Sequence, residues 1–284
     1  MTTQLNCAEI INHSQYPIDV NDDPRRQAAI DSVRAELAKD GCAVIRNFFS
    51  PAGIKALVDE AEDRKSSAYY SPKKECNVYL NDGNSDYPPE HPINFLIPRT
   101  NGFITSDQFG EETAARRLYY WEPLKEFLAD CLGKEELHIY EDPVSNMIVN
   151  VGKPGQEFNW HFDTNEFTIT MLLRPASSGG DFEYVPDLRN SNDECYDEVN
   201  KVLHGDRKRV HQLPLYAGDL QFFLGRFALH KVTKNTGDSD RLVLIMSFAE
   251  QPGMIGSKER VMNLYGKTTE EHDKRQVFSD GLGD

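Results

Sequence analysis

The sequence predicts a mostly β fold with flanking helices: a jelly-roll core packed by N-terminal helices. Three observations lead there. After Ser145 the chain falls into short apolar runs, Asn146–Val151, Phe167–Leu173, Gly180–Val185, Val210–Leu215, Asp219–Leu224, Leu229–Val232 and Arg241–Phe248, punctuated by Gly, Pro, Asn and Asp. A single helical stretch, near Asn192–Leu203, interrupts them, and such a succession of short strands argues for an antiparallel sandwich or barrel over a parallel sheet. The N-terminal half instead carries helical spacing, which supplies an outer layer for a two-sheet jelly roll.

Residues 1–23 have no clear period and are expected to drape over the domain. From Pro24, the residues Ala28, Ile30, Val33, Leu37 and Ala38 share one helical face, and the helix should stop near Gly41. The stretch 42–49 reads as a strand. Ser50 and Pro51 form a strong helix start, a cap followed by the residue suited to the first turn, and Ile54, Leu57, Val58 and Ala61 give that helix its apolar side. Residues 65–112 are irregular and rich in Tyr, Asn and Pro, as expected of a segment that covers a pocket. A long helix is expected over Thr113–Leu132, stopping at Gly133. The tail from Ser257 should hold one short helix and a loose charged end. One domain, 1–284, accounts for the whole: 1–139 as helical support and pocket cover, 140–255 as the jelly-roll core, and 256–284 as a C-terminal tail.

Composition narrows the function. The chain is 39% hydrophobic and 27% charged, as in ordinary globular proteins, and no run approaches the roughly 20 apolar residues needed to cross a bilayer. No basic-then-apolar leader is visible at the start, so a cytoplasmic location is the default expectation. Five scattered cysteines without a CxxC pair suggest neither a disulfide framework nor a thiolate zinc site. A formal net charge of −15 disfavours nucleic acid and anionic membrane as partners. A small-molecule substrate is expected, with a homodimer left open.

The chemistry centres on His161-Phe162-Asp163. In an extended chain His161 and Asp163 point one way and Phe162 the other, so a histidine and a carboxylate can meet one metal ion. Alone, His-x-Asp recurs by chance. A third ligand is available in His230, on a later apolar run, and two histidines with one carboxylate form the facial arrangement of non-haem Fe(II) oxygenases. Arg241 then opens an apolar strand, where a guanidinium is costly unless it holds a carboxylate.

Over roughly residues 140–255 the sequence resembles the Fe(II)/2-oxoglutarate-dependent dioxygenases. The matching residues are His161, Asp163, His230 and Arg241, with supporting likeness in 179–186 and 216–223. Within the family it is most similar to a bacterial group of free amino acid hydroxylases and halogenases. The resemblance implies a cupin-like double-stranded β-helix, iron held by His161, Asp163 and His230, 2-oxoglutarate held through Arg241, and O2 as oxidant. Its halogenating members carry Gly or Ala where Asp163 stands, so the resemblance implies hydroxylation of an unactivated C–H, with release of succinate and CO2. Thr170 (or Thr168) and Asn150 are candidates for the cosubstrate. Arg99, Asn146, Trp160 and Thr164 are candidates for the substrate, expected to be an amino acid or derivative, and Arg226 is a further carboxylate-binding candidate. Thr164 falls where relatives acting on basic amino acids carry an acid, which disfavours a lysine-like substrate. The same chemistry on a peptide, nucleotide or natural-product intermediate is the alternative. A barrel that binds metal or ligand without catalysis is the competing class, although it would have no use for Arg241. No HExxH helix points to a zinc hydrolase.

Overall fold

The computed structural model describes residues 4–275 and 282. Among these, two antiparallel sheets enclose a cavity. The larger runs in the order Cys42–Ile45, Leu220–Phe223, Thr168–Arg174, Arg241–Met246, Met147–Gly152, Gly102–Ile104, Tyr69–Tyr70. The smaller runs His211–Leu213, Phe182–Val185, Leu229–Val232, Phe158–His161. This is the jelly roll expected from the runs of short strands, in the double-stranded β-helix form that the family resemblance implies.

Strand alternation divides the larger sheet into two faces. Val149, Ile169, Met171, Phe222 and Leu244 point outward into one buried apolar cluster. That cluster is completed by Ile30 and Val33 of the helix Pro24–Asp40, Leu57 of Pro51–Arg64, and Leu124 and Phe127 of Glu122–Leu132. Each such side chain contributes about 1.5–3 kcal/mol on burial. The intervening residues Asn150, Thr170, Gln221 and Val243 face inward and line the cavity. A one-residue slip in any of these strands would exchange the two sets, so burial of the outward face fixes what the cavity contains.

The helix starts behave as their sequences dictate. Asp23 caps the first long helix by accepting from the Arg25 amide, and Gly41 ends it in the left-handed conformation at φ 64°. Ser50 caps the next through the Gly53 amide at 2.9 Å. The single helix expected over 113–132 is instead two, Ala114–Tyr119 and Glu122–Leu132. Pro123 causes the break, because it supplies no amide and restricts the residue before it. The helix expected at 192–203 begins only at Tyr196, after Cys195 at φ 49°. The strand expected through Phe49 ends at Ile45, before Asn47 at φ 51°. Within the irregular stretch, Tyr69–Tyr70 and Gly102–Ile104 extend the larger sheet.

The C-terminal segment departs most from expectation. It contains two helices, Lys258–Tyr265 and Glu270–Asp273, and the first forms a wall of the cavity. The end expected to be loose lies, apart from Leu282, outside the described residues. Asp142 fastens the segment down. Its fully buried carboxylate accepts from the Val144 and Ser145 amides at 2.8 Å, the Gly256 amide at 3.0 Å and His272 Nε2 at 3.1 Å. The Thr269 amide donates to His272 Nδ1, so the proton sits on Nε2, facing the carboxylate. Asp142→Ala orphans several buried donors at once. It should cost about 3 kcal/mol or more of unfolding free energy, measured by denaturant titration, with Asp142→Asn costing less.

Candidate metal centre and its cavity

His161 ends the strand Phe158–His161, and its ladder partner across the smaller sheet is His230. Two residues on, Asp163 turns to the same side, while Trp160 and Phe162 point away into a separate apolar cluster. The two histidines and the carboxylate each offer an atom within 4.8 Å of the others. Asp163 Oδ1 lies 3.5 Å from His230 Nε2 and 4.0 Å from His161 Nε2.

The neighbours of these three residues prepare them as ligands. His161 Nδ1–H donates to the Asn159 carbonyl at 2.7 Å, and His230 Nδ1–H to the Ala228 carbonyl at 3.0 Å. Carbonyls only accept, so both protons sit on Nδ1 and both Nε2 lone pairs face the centre. Burial, aided by His230, drives the His161 pKa well below its usual value, which keeps the ring neutral and free to bind metal. For Asp163, burial alone would raise the carboxyl. His230, with His161 and Thr168, outweighs that and holds it below the usual carboxylate range. Thr168 Oγ1 donates to Asp163 Oδ2 at 2.6 Å, leaving Oδ1 toward the histidines. Phe158 stacks on His161 with ring centroids 3.7 Å apart. The donor set of two neutral imidazoles and one carboxylate fits a divalent iron ion.

These residues open on a cavity of about 150 Å³, whose wall includes Arg241. Arg241 is 6% exposed, and no described residue gives it a hydrogen bond or an ion pair. Burial pulls its pKa down to about 10, opposed by Asp181, so it stays charged at neutral pH. A buried cation without a partner calls for an anionic ligand, and the distal carboxylate of 2-oxoglutarate is such a group. Gly180, at φ +67°, makes room for it: a Cβ there would lie 3.0 Å from Arg241 Cδ. Asn101 borders the same end, its buried amide unpartnered on both oxygen and nitrogen.

Among the other sequence candidates, Asn150, Thr164, Thr168 and Thr170 reach the cavity. Thr170 donates to Gln221 at 2.9 Å. Three substrate candidates are not brought there. Asn146 is engaged with Ser106 and Tyr120. Trp160 alternates to the opposite face and carries Lys231 over its ring at 4.7 Å. Arg99 lies between Phe103 and Phe158, donates to the Asn263 and Leu264 carbonyls, and borders a different surface cavity. Arg226, also outside the cavity wall, holds the Thr164 carbonyl at 2.6 Å.

Comparison with known proteins decides the family. The model of the Halogenase D family matches residues 97–261, more than half of the chain. The chain belongs to the Halogenase D family. Solved structures share the fold. AviO1 from Streptomyces viridochromogenes Tue57 superposes with a TM-score of 0.54 at 18% identity, covering 81% of this chain and 97% of that one. A prolyl hydroxylase in complex with a hypoxia inducible factor peptide, from Trichoplax adhaerens, gives 0.53 at 14%, covering 84% and 94%. A 2OG-Fe(II) oxygenase family protein from Burkholderia pseudomallei gives 0.52 at 13%, covering 79% and 92%. Comparison with curated protein sequences gives no significant match. Together with the metal centre and Arg241, these findings make this Halogenase D family member an Fe(II)- and 2-oxoglutarate-dependent oxygenase. No helix among the described residues is long and apolar enough to cross a membrane.

Sequence reasoning missed two features of this Halogenase D cavity. One is Arg260, inside a segment read as tail, which a long-range contact alone reveals. The other is Gly225. The Asp163 amide donates to the Gly225 carbonyl at 3.1 Å, and a Cβ on Gly225 would lie 2.1 Å from Asp163 Oδ2. Gly225→Ala should therefore displace the carboxylate and cost about 1–3 kcal/mol of stability, seen as a lowered thermal midpoint, together with weaker Fe(II) binding by calorimetry.

Proposed function

We propose that the protein hydroxylates an unactivated C–H of a small metabolite, an amino acid or derivative, using Fe(II), 2-oxoglutarate and O2. The observation that carries this reading is Asp163, a third metal ligand in the same cavity as the unpaired Arg241. Bound iron and 2-oxoglutarate supply the oxidising power: 2-oxoglutarate loses CO2 to become succinate while one oxygen atom of O2 enters the substrate. His161, His230 and Asp163 would hold the iron. The Asn159 and Ala228 carbonyls hold both imidazoles in the metal-binding tautomer, and Thr168 orients the carboxylate. Arg241 takes the distal carboxylate of 2-oxoglutarate, with Asn150 and Thr170 on the neighbouring strands as polar company. Phe103, Phe158, Leu80 and Leu264 supply the apolar wall that limits water around the oxidant.

The family model raises halogenation as a second reading. The halogenating relatives carry Gly or Ala where Asp163 stands, and the Asp163 carboxylate, within reach of both histidines, would serve as a metal ligand in place of chloride. With chloride in the buffer, mass spectrometry should find hydroxylated product and no chlorinated product. A chlorinated product from the unaltered protein would overturn the hydroxylase assignment.

Offered Fe(II), ascorbate, 2-oxoglutarate and a library of amino acids and peptides, the protein should release succinate in step with substrate oxidation. His161→Ala should abolish it. Arg241→Leu should raise the KM for 2-oxoglutarate about 100-fold, the scale expected when one partner of a buried charge pair is lost. If neither iron nor 2-oxoglutarate binds by calorimetry, the oxygenase reading fails.

A further inference from the structure

We propose that Arg260 reads a carboxylate on the substrate, so that the cavity selects a small molecule that presents a carboxylate. The inference rests on the oxygenase reading above and adds a residue that sets specificity. Arg260 lies in the first turn of Lys258–Tyr265, the helix that closes one side of the iron cavity, and is 9% exposed. Ser257 caps that turn, and Asp142 pins the preceding Gly256, so the side chain enters the cavity from a fixed base.

Two of its five donors are used. Nη1 donates to the Tyr79 carbonyl at 3.3 Å and Nη2 to the Phe162 carbonyl at 3.0 Å. These bonds tie the guanidinium to the peptide between the two ligands of the His-x-Asp motif, which fixes its plane. Nε makes no hydrogen bond to a described residue, yet it is not among the sealed polar atoms that lack a partner. Nε is therefore accessible, the side chain lines the cavity, and no described residue gives it an acid within ion-pair distance.

Charge balance identifies what those donors take. The Asp, Glu, Lys and Arg side chains on the cavity wall are Asp163, Arg241 and Arg260, beside the two histidines. The two charges of Fe(II) and that of Arg241 are answered by Asp163 and the two carboxylates of 2-oxoglutarate. Arg260 is left over. An arginine fork matches one carboxylate in the bidentate mode, and a single counter-charge completes the balance where a phosphate dianion would exceed it. Arg99 does not compete for this role: it borders the outer cavity that Leu80 and Leu264 separate from the iron site.

The test compares each standard L-amino acid with its primary carboxamide, two probes of nearly equal shape differing in charge. Binding is read as the thermal shift of the anaerobic protein with Fe(II) and 2-oxoglutarate, and turnover as succinate release in air. At least one acid should bind about 10- to 100-fold more tightly than its amide. Arg260→Gln should bring that ratio close to one, and Arg260→Lys should keep the preference for the acid with weaker binding. A purely structural role for Arg260 would weaken acid and amide alike, so an Arg260→Gln protein that retains the ratio overturns the proposal. So does equal binding of acid and amide by the unaltered protein. No response to any acid, with the panel extended to N-acyl amino acids and short hydroxy acids, also overturns it. Selective binding of acids without succinate release would sink the oxygenase reading and leave the role of Arg260 standing. Succinate release that ignores the acid would do the reverse.

Discussion

The ladder between Phe158–His161 and Leu229–Val232 is the constraint on which the site depends. It sets His230 directly opposite His161, and the turn after His161 brings Asp163 onto the same side. Each ligand is a group that burial penalises, and the three come together only because the sheet fixes their backbones. The ladder is irregular between His230 and Val232, as edge-of-site strands often are where a side chain must be re-aimed. Moving either strand by one residue would send a histidine into the opposite apolar cluster with Trp160 and Phe162.

The same alternation explains how the larger sheet serves two ends. Its outward residues carry much of the stability, packed beneath the N-terminal helices. Its inward residues are thus freed to be polar: Asn150, Thr170, Gln221 and Arg241 sit on strands whose other face is almost wholly apolar. Buried polar groups of this kind are costly without partners, and several are satisfied within the site. Thr168 bonds Asp163, and Thr170 bonds Gln221. Arg241, Asn150 and Asn101 make no such bond to a described residue, and all three border the end of the cavity proposed for the cosubstrate.

Much of this was legible in the sequence because strand period and ligand spacing are local. The runs around Met147, Thr168, Leu220 and Arg241 announced the larger sheet, and His161, Asp163, His230 and Arg241 announced the cavity. Segment ends were less legible, because they turn on single residues, Pro123 splitting one helix and Cys195 delaying another. Long-range contacts had no sequence signal. Arg99 has the turn residues of a loop that could fold over the barrel mouth, yet its side chain is drawn between Phe103 and Phe158. Arg260 stands in a polar stretch with no motif, and long-range bonds, from Gly256 and His272 to Asp142 and from Arg260 itself to the Tyr79 and Phe162 carbonyls, hold it at the cavity.

That exchange of arginines has a physical logic. The chain carries a formal net charge of −15, so its distant field does not attract anions, and at cellular ionic strength that field fades within about 10 Å. Attraction for an anionic cosubstrate or substrate must come from cations inside the cavity, where water is scarce and each charge–charge contact is stronger than at the surface. An arginine outside that wall, such as Arg99, lies on the far side of Leu80 and Leu264, in a cavity it shares with Lys73, Lys74, Glu75 and Asp82. Arg241 and Arg260 share their wall only with Asp163, whose charge belongs to the metal. An acidic protein could bind anions this way through two enclosed guanidinium groups, one held by the strand Arg241–Met246 and the other by the helix Lys258–Tyr265.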